Sequence, residues 1–303
     1  IRRSTFEHLL RSAAEANFNM LRVWGGGTWE RDDFYDIADE VGIMIWEEFK
    51  FGCSLYPRDR HFLANVRREI SDQVKRLSHH ASIVVYSGNN ENQGYLSGDG
   101  NYSPELIDYS LLYDSTVQDE VRSLDRSRPY WPASPSNGIL VENPELGVYI
   151  QRWNVAGGDS QSSQYGDSHI YPQYGSPERE STDCEDLRLF QSSRFVSEYG
   201  FIAMPSFAAL AEVTRPGDWS MNSTQVFFRN RQDWPRGQSL LLRQLGLHFA
   251  GATSPDSTEA FKDSIYLSQA VQAHCVQLSS EHFRLSRSGP ARTMGLLFWS
   301  LNN

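Results

Sequence analysis

Hydrophobic positions along this chain switch repeatedly between a helical and a strand-like period. Phe6, Leu9, Leu10, Ala13 and Ala14 recur at helical spacing, and Ser4 with Glu7 three positions later has the form of a capping box. The apolar run Met20 to Trp24 follows, closed by Gly25, Gly26 and Gly27, which predicts a strand ended by a tight turn. Phe34, Ile37, Ala38 and Val41 predict a helix stopped by Gly42, and Ile43 to Trp46 a second strand. Phe62, Val66, Ile70, Val74 and Leu77 line the next helix, with a strand at Ile83 to Tyr86 behind it. Pro104, placed where its missing N–H is harmless, opens a helix running to about Leu124. Later strands are expected at Tyr130 to Ala133, Asp167 to Tyr171, Arg194 to Ser197 and Met294 to Trp299, the last preceded by a long helix from about Ser257 to Leu285.

Short, almost wholly apolar strands alternating with helices predict an α/β fold whose parallel sheet is covered on both faces. The strands end in polar or aromatic residues: Arg22 and Trp24, Glu47 and Glu48, Asn89 to Glu91, Ser134 and Asn137, His169 and Tyr171, Glu198 and Tyr199, Trp299 and Asn302. Chemistry spread over the C-terminal ends of many strands is how a (β/α)8 TIM barrel builds its site, whereas an open doubly wound sheet concentrates it at one switch point. The three glycines continue into no phosphate-binding pattern, so they are a turn. On this reading residues 1–303 form one catalytic barrel domain, an excerpt of a larger multidomain protein, with strand one and the last helix outside the chain.

Composition narrows the function. A net charge of −10 without a basic run disfavours nucleic acid and anionic membrane surfaces, and no apolar run is long enough to span a bilayer. Tyr, Phe and Trp number 14, 16 and 8, more ring surface than a core needs and suited to stacking on sugars. Cys53, Cys184 and Cys275 lack CxxC spacing, so no metal site is expected and each is read as a thiol. Sequons at Asn101 and Asn222 are compatible with a lysosomal or secreted protein.

Two segments place an acid at a strand end among hydrogen-bonding neighbours, Tyr86-Ser-Gly-Asn-Asn-Glu91-Asn92 and Phe195-Val-Ser-Glu198-Tyr199-Gly200. Glycosidic hydrolysis needs such a pair, one acid for the leaving oxygen and one carboxylate for the oxocarbenium-like carbon. An Asn-Glu ending the fourth strand with a Glu ending the seventh resembles the large clan of retaining barrel glycosidases. Within it, Leu21 to Gly27, Ser87 to Asn92, Gly166 to Tyr171 and Ser197 to Gly200 are similar, in order and spacing, to the β-mannosidases of glycoside hydrolase family 2, the lysosomal type above all. The similarity runs from about Asn17 to Asn302 and is weakest between Val141 and Gln164.

The resemblance implies retaining exo-hydrolysis of terminal β-D-mannose by double displacement, on a β-mannoside oligosaccharide and without cofactor. It makes Glu91 the acid/base and Glu198 the nucleophile, with the pKa of Glu91 raised so that it stays protonated. Asn90 would bind the sugar 2-hydroxyl, Tyr171 would orient the nucleophile, and Trp24 and Trp299 would wall the sugar pocket. Arg22 would hold carboxylates, His169 would donate to a hydroxyl, and Asn302 would line the site. Glu48 stands where the family commonly has Asp, and only one of Glu47 and Glu48 can face the barrel axis. The partners implied are the missing N- and C-terminal domains of the same protein. The alternatives are a β-galactosidase, β-glucuronidase, exo-β-glucosaminidase or endo-β-mannosidase, or a non-catalytic sugar-binding fragment.

Overall fold

In the computed structural model, residues 2–96, 104–143, 148–151, 161–172, 183–229, 237–250 and 257–302 are described. They divide between two compact units, residues 1–169 with 193–197, and residues 170–192 with 198–303.

The first unit alternates as the apolar pattern predicts. Helix α1 (Arg3–Glu15) leads to β1 (Met20–Val23), α2 (Asp32–Val41) to β2 (Met44–Glu48), and α3 (Arg60–Leu77) to β3 (Ile83–Ser87). After α4 (Pro104–Tyr109) and α5 (Asp119–Leu124) comes β4 (Tyr130–Trp131). The strands pair in parallel in the order β1-β2-β3-β4, so the chain is α/β. Gly42 stops α2 because only its left-handed φ of 77° lets the chain turn directly into β2. Leu10, Ile37, Ala38, Leu77 and Ile45 are wholly buried, each on a helix or strand face that the sequence pattern marked as apolar.

Two local expectations fail. Helix α1 begins at Arg3 with Arg2 as its cap, so Ser4 lies inside the helix and Glu7 pairs with Arg3 at 3.3 Å instead of closing a capping box. The single helix expected up to Leu124 contains a π-helical segment, Ser110–Gln118, between α4 and α5. There the Thr116 hydroxyl donates to the Leu111 carbonyl five residues back, the offset of a π turn. Further along, β5 (Ile139–Asn143) pairs antiparallel with β6 (Val148–Gln151). Asn101 lies outside the described residues.

The unit ends where β7 (Ser168–Ile170) and β8 (Val196–Tyr199) begin, with the Ser168 N–H on the Phe195 carbonyl. In the second unit β8 finishes, and the Trp299 N–H after β9 (Leu296–Phe298) donates to the Tyr199 carbonyl at 2.7 Å. The α-helices described in this unit are α6 (Phe207–Val213), α7 (Thr224–Arg229), α8 (Gly237–His248) and α9 (Thr258–Leu285). Polar side chains of α9 hold the segment after β8: Gln272 and Gln269 donate to the Phe201 and Met204 carbonyls, and Tyr199 shares a 2.7 Å hydrogen bond with Ser280.

Cys184 and Cys275 are joined in a disulfide, which corrects their reading as thiols; the folded chain brings their Cα atoms to 5.4 Å. Cys53 stays a thiol. Because the bridge spans 91 residues, its loss frees a long loop in the unfolded chain, worth about 4–5 kcal/mol in the chain-entropy picture. A C184S/C275S double variant is therefore expected to lose most of that in urea unfolding; unchanged stability would show that the bridge contributes nothing.

Candidate active site

Beyond the last regular pairs of β2, β3 and β4 the backbone stays in register. Asn90 bridges both Gly52 and Ser134, and the Glu91 N–H donates to the Ser134 carbonyl at 2.8 Å. This carries the parallel order past the strand ends and fixes where Asn90 and Glu91 point. Glu91 itself is left-handed, at φ 62° and ψ 5°, a conformation costing a non-glycine residue about 1–2 kcal/mol. Its neighbours hold it there. Asn89 donates to the Tyr109 hydroxyl and the Pro132 carbonyl and accepts the Asn92 N–H, while Asn92 donates to the Tyr113 hydroxyl at 2.5 Å.

Glu47 and Glu48, adjacent on β2, point oppositely as strand geometry requires. Glu47 is fully buried, accepts from the Tyr35 hydroxyl (2.8 Å) and from Lys50 (3.1 Å), and its carboxyl is raised above the ordinary range by burial. Glu48, equally buried, takes two nitrogens of the Arg22 guanidinium at 2.8–3.0 Å together with the Gly25 N–H at 2.8 Å. Gly25 has no alternative here, since a Cβ would lie 2.5 Å from the Phe51 carbonyl. The same Arg22 donates to Asn90 Oδ1 at 2.6 Å. With its oxygen so occupied, the Asn90 amide presents its NH2, which approaches Cys53 Sγ at 3.2 Å. Trp24 is half-buried and stacked over Gly26, where a Cβ would come within 2.1 Å of the indole.

Glu91 has a side chain 40% exposed and lies 2.7 Å, through Oε1, from His169 Nδ1. The Cys53 thiol donates to Oε2 at 3.4 Å. The Glu91 carboxyl lies below its ordinary range, not above it as acid catalysis by an isolated carboxyl requires. Burial raises it, but the His169 hydrogen bond and charge outweigh burial, aided by Cys53 and the Arg22 field. His169 keeps both ring nitrogens on protein partners, the other being Ser134 Oγ at 3.1 Å.

In the second unit Glu198 is 6% exposed and accepts from the Tyr171 hydroxyl at 2.8 Å. Gly200 follows because the Trp299 carbonyl would sit 2.3 Å from any Cβ there. Trp299 is half-buried, and Asn302 is exposed with its carbonyl accepting from the Ser300 hydroxyl. Cys184, His248 and Cys275 cluster like metal ligands, but the two sulfurs are already bonded to each other.

Within the first unit, then, Arg22, Glu48, Asn90, Glu91 and His169 are linked in one polar cluster, while Tyr171 and Glu198 meet in the second. The sequence reading named Asn89, Asn92 and Asp167 only as members of strand-end segments and Cys53 only as a thiol, and gave none of them a role at the site. Asp167 had a signal: it lies two residues before His169, on the same strand face.

The Arg22–Glu48 pair is nearly water-free, with side chains 4% and 0% exposed. Replacing Arg22 by Met leaves a buried anion without its guanidinium partner, which is expected to destabilise folding by about 3–5 kcal/mol. Urea unfolding measures this; wild-type stability would contradict it.

Several known proteins are similar to this chain. It is 41% identical over 308 residues to a β-mannosidase of Rattus norvegicus and 30% identical over 311 residues to β-mannosidase A of Emericella nidulans, each match covering 97% of the chain. The chain spans about a third of the length of these curated relatives. Among solved structures, the β-D-mannosidase of Dictyoglomus thermophilum aligns over the whole chain with a TM-score of 0.77 and 31% identity, and the chain covers 33% of it. The exo-chitosanase of Amycolatopsis orientalis aligns with a TM-score of 0.61 at 15% identity, a likeness of fold alone. No family model matches. The chain is a relative of the β-mannosidases, homologous to a third of their length across nearly all of its own.

Proposed function

We propose that this chain carries the catalytic centre of a retaining exo-β-mannosidase, with Glu91 as acid/base and Glu198 as nucleophile on a (β/α)8 barrel. The observation that carries the reading is the contrast between the two strand-end glutamates. Glu198 is buried and accepts a hydrogen bond from the Tyr171 hydroxyl, which orients it as a nucleophile needs, whereas Glu91 is partly exposed beside a histidine, as a group that exchanges protons needs. The barrel is supported by the parallel order β1 to β4, by polar chemistry at strand ends, and by the alignment of the whole of this chain with a third of the Dictyoglomus enzyme.

In this mechanism a Glu198 oxygen bonds to the anomeric carbon as the bond to the leaving oxygen breaks, and that oxygen takes the Glu91 proton. Water then gives a proton back to Glu91 and attacks the anomeric carbon, which releases Glu198 as carboxylate. Asn90, its oxygen held by Arg22, offers its NH2 to the sugar 2-hydroxyl, a hydrogen bond that strengthens in the transition state. Trp24 and Trp299 supply apolar walls, and Asn302 a polar edge. Glu48 acts through Arg22 and Asn90, since its oxygens already hold protein donors. The substrate is a β-mannoside oligosaccharide, and the further domains implied by the longer relatives would complete its binding. A lysosomal or secreted route fits the disulfide and the exposed sequon at Asn222.

In the full-length protein, Glu198→Gln is expected to abolish turnover. Glu91→Ala is expected to lower it by about a hundred- to ten-thousand-fold, with partial recovery in azide. Among nitrophenyl β-glycosides the mannoside should be the preferred substrate. Unaltered hydrolysis in both variants would refute the assignment, and preference for another sugar would refute the specificity.

A further inference from the structure

Behind Glu91 lies a buried polar chain that the double displacement leaves unexplained. Asp167, 1% exposed, receives four donors. Oδ1 accepts the Trp131 indole N–H (2.8 Å) and the Ser136 backbone N–H (2.9 Å); Oδ2 accepts the hydroxyls of Ser134 (2.7 Å) and Ser197 (2.5 Å). Such a set of donors is the complement of an ionised carboxylate.

The consequence passes along the chain one proton at a time. Ser134 has a single hydroxyl proton, and the charge-assisted bond to Asp167 takes it. Toward His169 Nε2, 3.1 Å away, Ser134 can then only accept, so Nε2 carries a proton. A neutral imidazole with its proton on Nε2 has a bare Nδ1, and Nδ1 is the atom 2.7 Å from Glu91 Oε1. A contact that short between a bare nitrogen and a carboxyl oxygen requires one proton between them, either on the carboxyl or on the ring.

We propose that Asp167, acting through Ser134, fixes the tautomer of His169 so that His169 and Glu91 share one proton. His169, Ser134 and Asp167 are thus positioning residues for the acid/base. This rests on the reading of Glu91 as that group. The proton sits on Glu91 when the leaving oxygen is protonated, and between turnovers it can rest on the ring without being lost to water. A carboxyl held below its ordinary range by His169 thereby remains a competent acid, because the pair, not Glu91 alone, sets the pH at which the proton disappears.

The groups facing Glu91 among the described residues of its unit are His169, Cys53 and Arg22; those facing Asp167 are Trp131, Ser134, Ser136 and Ser197. Glu198, the nucleophile of the proposed reaction, is present in every variant compared. Without the imidazole, Glu91 must hold its proton alone. The alkaline limb of kcat/KM should then fall by about one to two pH units, the scale set by the gap between histidine and glutamate.

The Asp167→Asn variant tests the tautomer itself. Trp131 Nε1 and Ser136 N can only donate, so the new amide must place its oxygen on them and its NH2 on Ser134 and Ser197. Ser134 then turns its proton to Nε2, His169 carries its own on Nδ1, and the shared position is filled permanently. The limb should fall again, with the imidazole still present.

The experiment is the pH dependence of kcat/KM on nitrophenyl β-mannoside for the full-length wild type, His169→Gln, Asp167→Asn and Ser134→Ala, each checked by thermal melt. Expected is a downward shift of the alkaline limb in all three. A purely structural role would lower the rate at every pH and leave the limb in place, and that result in the folded variants overturns the proposal. Should His169→Gln fail to fold, Asp167→Asn and Ser134→Ala decide on the same criterion. Glu91→Ala separates the premises: azide recovery with unmoved limbs refutes only the shared proton. A Glu91→Ala enzyme with the wild-type profile removes the acid/base reading, and this proposal with it.

Discussion

The hydrogen bond between Glu91 and His169 depends on a constraint that recurs throughout this chain. A carboxylate buried on a strand or beside one loses water and must be given donors by the protein. Asp167 receives them from an indole, a backbone amide and two hydroxyls, Glu48 from Arg22 and Gly25, Glu47 from Tyr35 and Lys50, and Glu198 from Tyr171. Glu91 differs from these in being partly open and in facing a group that can both give and take a proton.

Backbone geometry makes that difference possible. Parallel strands deliver their ends to one side, and the bridges at Gly52, Asn90 and Ser134 extend the order just far enough to aim the next residue. Glu91 then turns left-handed, at a local cost met by the asparagines on either side and by the tyrosines they bind. A glycine at that position would adopt the turn more easily but would have no carboxyl, so the strain is retained where the chemistry is placed. Gly25 and Gly200 mark the opposite situation, in which backbone approaches so closely that no side chain fits.

Much of this was legible in the sequence, and for identifiable reasons. The helix faces of Leu10, Ile37 and Leu77 follow from periodicity, because burial on one face is a repeating constraint, and the apolar runs Ile43 to Trp46, Ile83 to Tyr86 and Arg194 to Ser197 locate strands that the fold ends one or two residues later, at Glu48, Ser87 and Tyr199. The same rule separates Glu47 from Glu48. What escaped were matters of long-range meeting or local competition. Cys184 and Cys275 are too far apart in sequence to reveal their pairing. The π segment turns on a hydroxyl competing for a carbonyl, and the start of α1 on an ion pair at Arg3 in place of a cap at Ser4. The lowered carboxyl of Glu91 was unreadable because its cause, His169, arrives from a strand 78 residues away.

The central claim is that Glu198 attacks the sugar while Glu91 moves the proton. Its most direct test is to inactivate the full-length protein with a 2-deoxy-2-fluoro-β-mannosyl donor bearing a good leaving group, then to map the labelled peptide by mass spectrometry. The account predicts one sugar in ester linkage on the peptide containing Glu198, and none when Glu198 is replaced by Gln. A label on any other residue, or full turnover of the donor by the Gln variant, would contradict it.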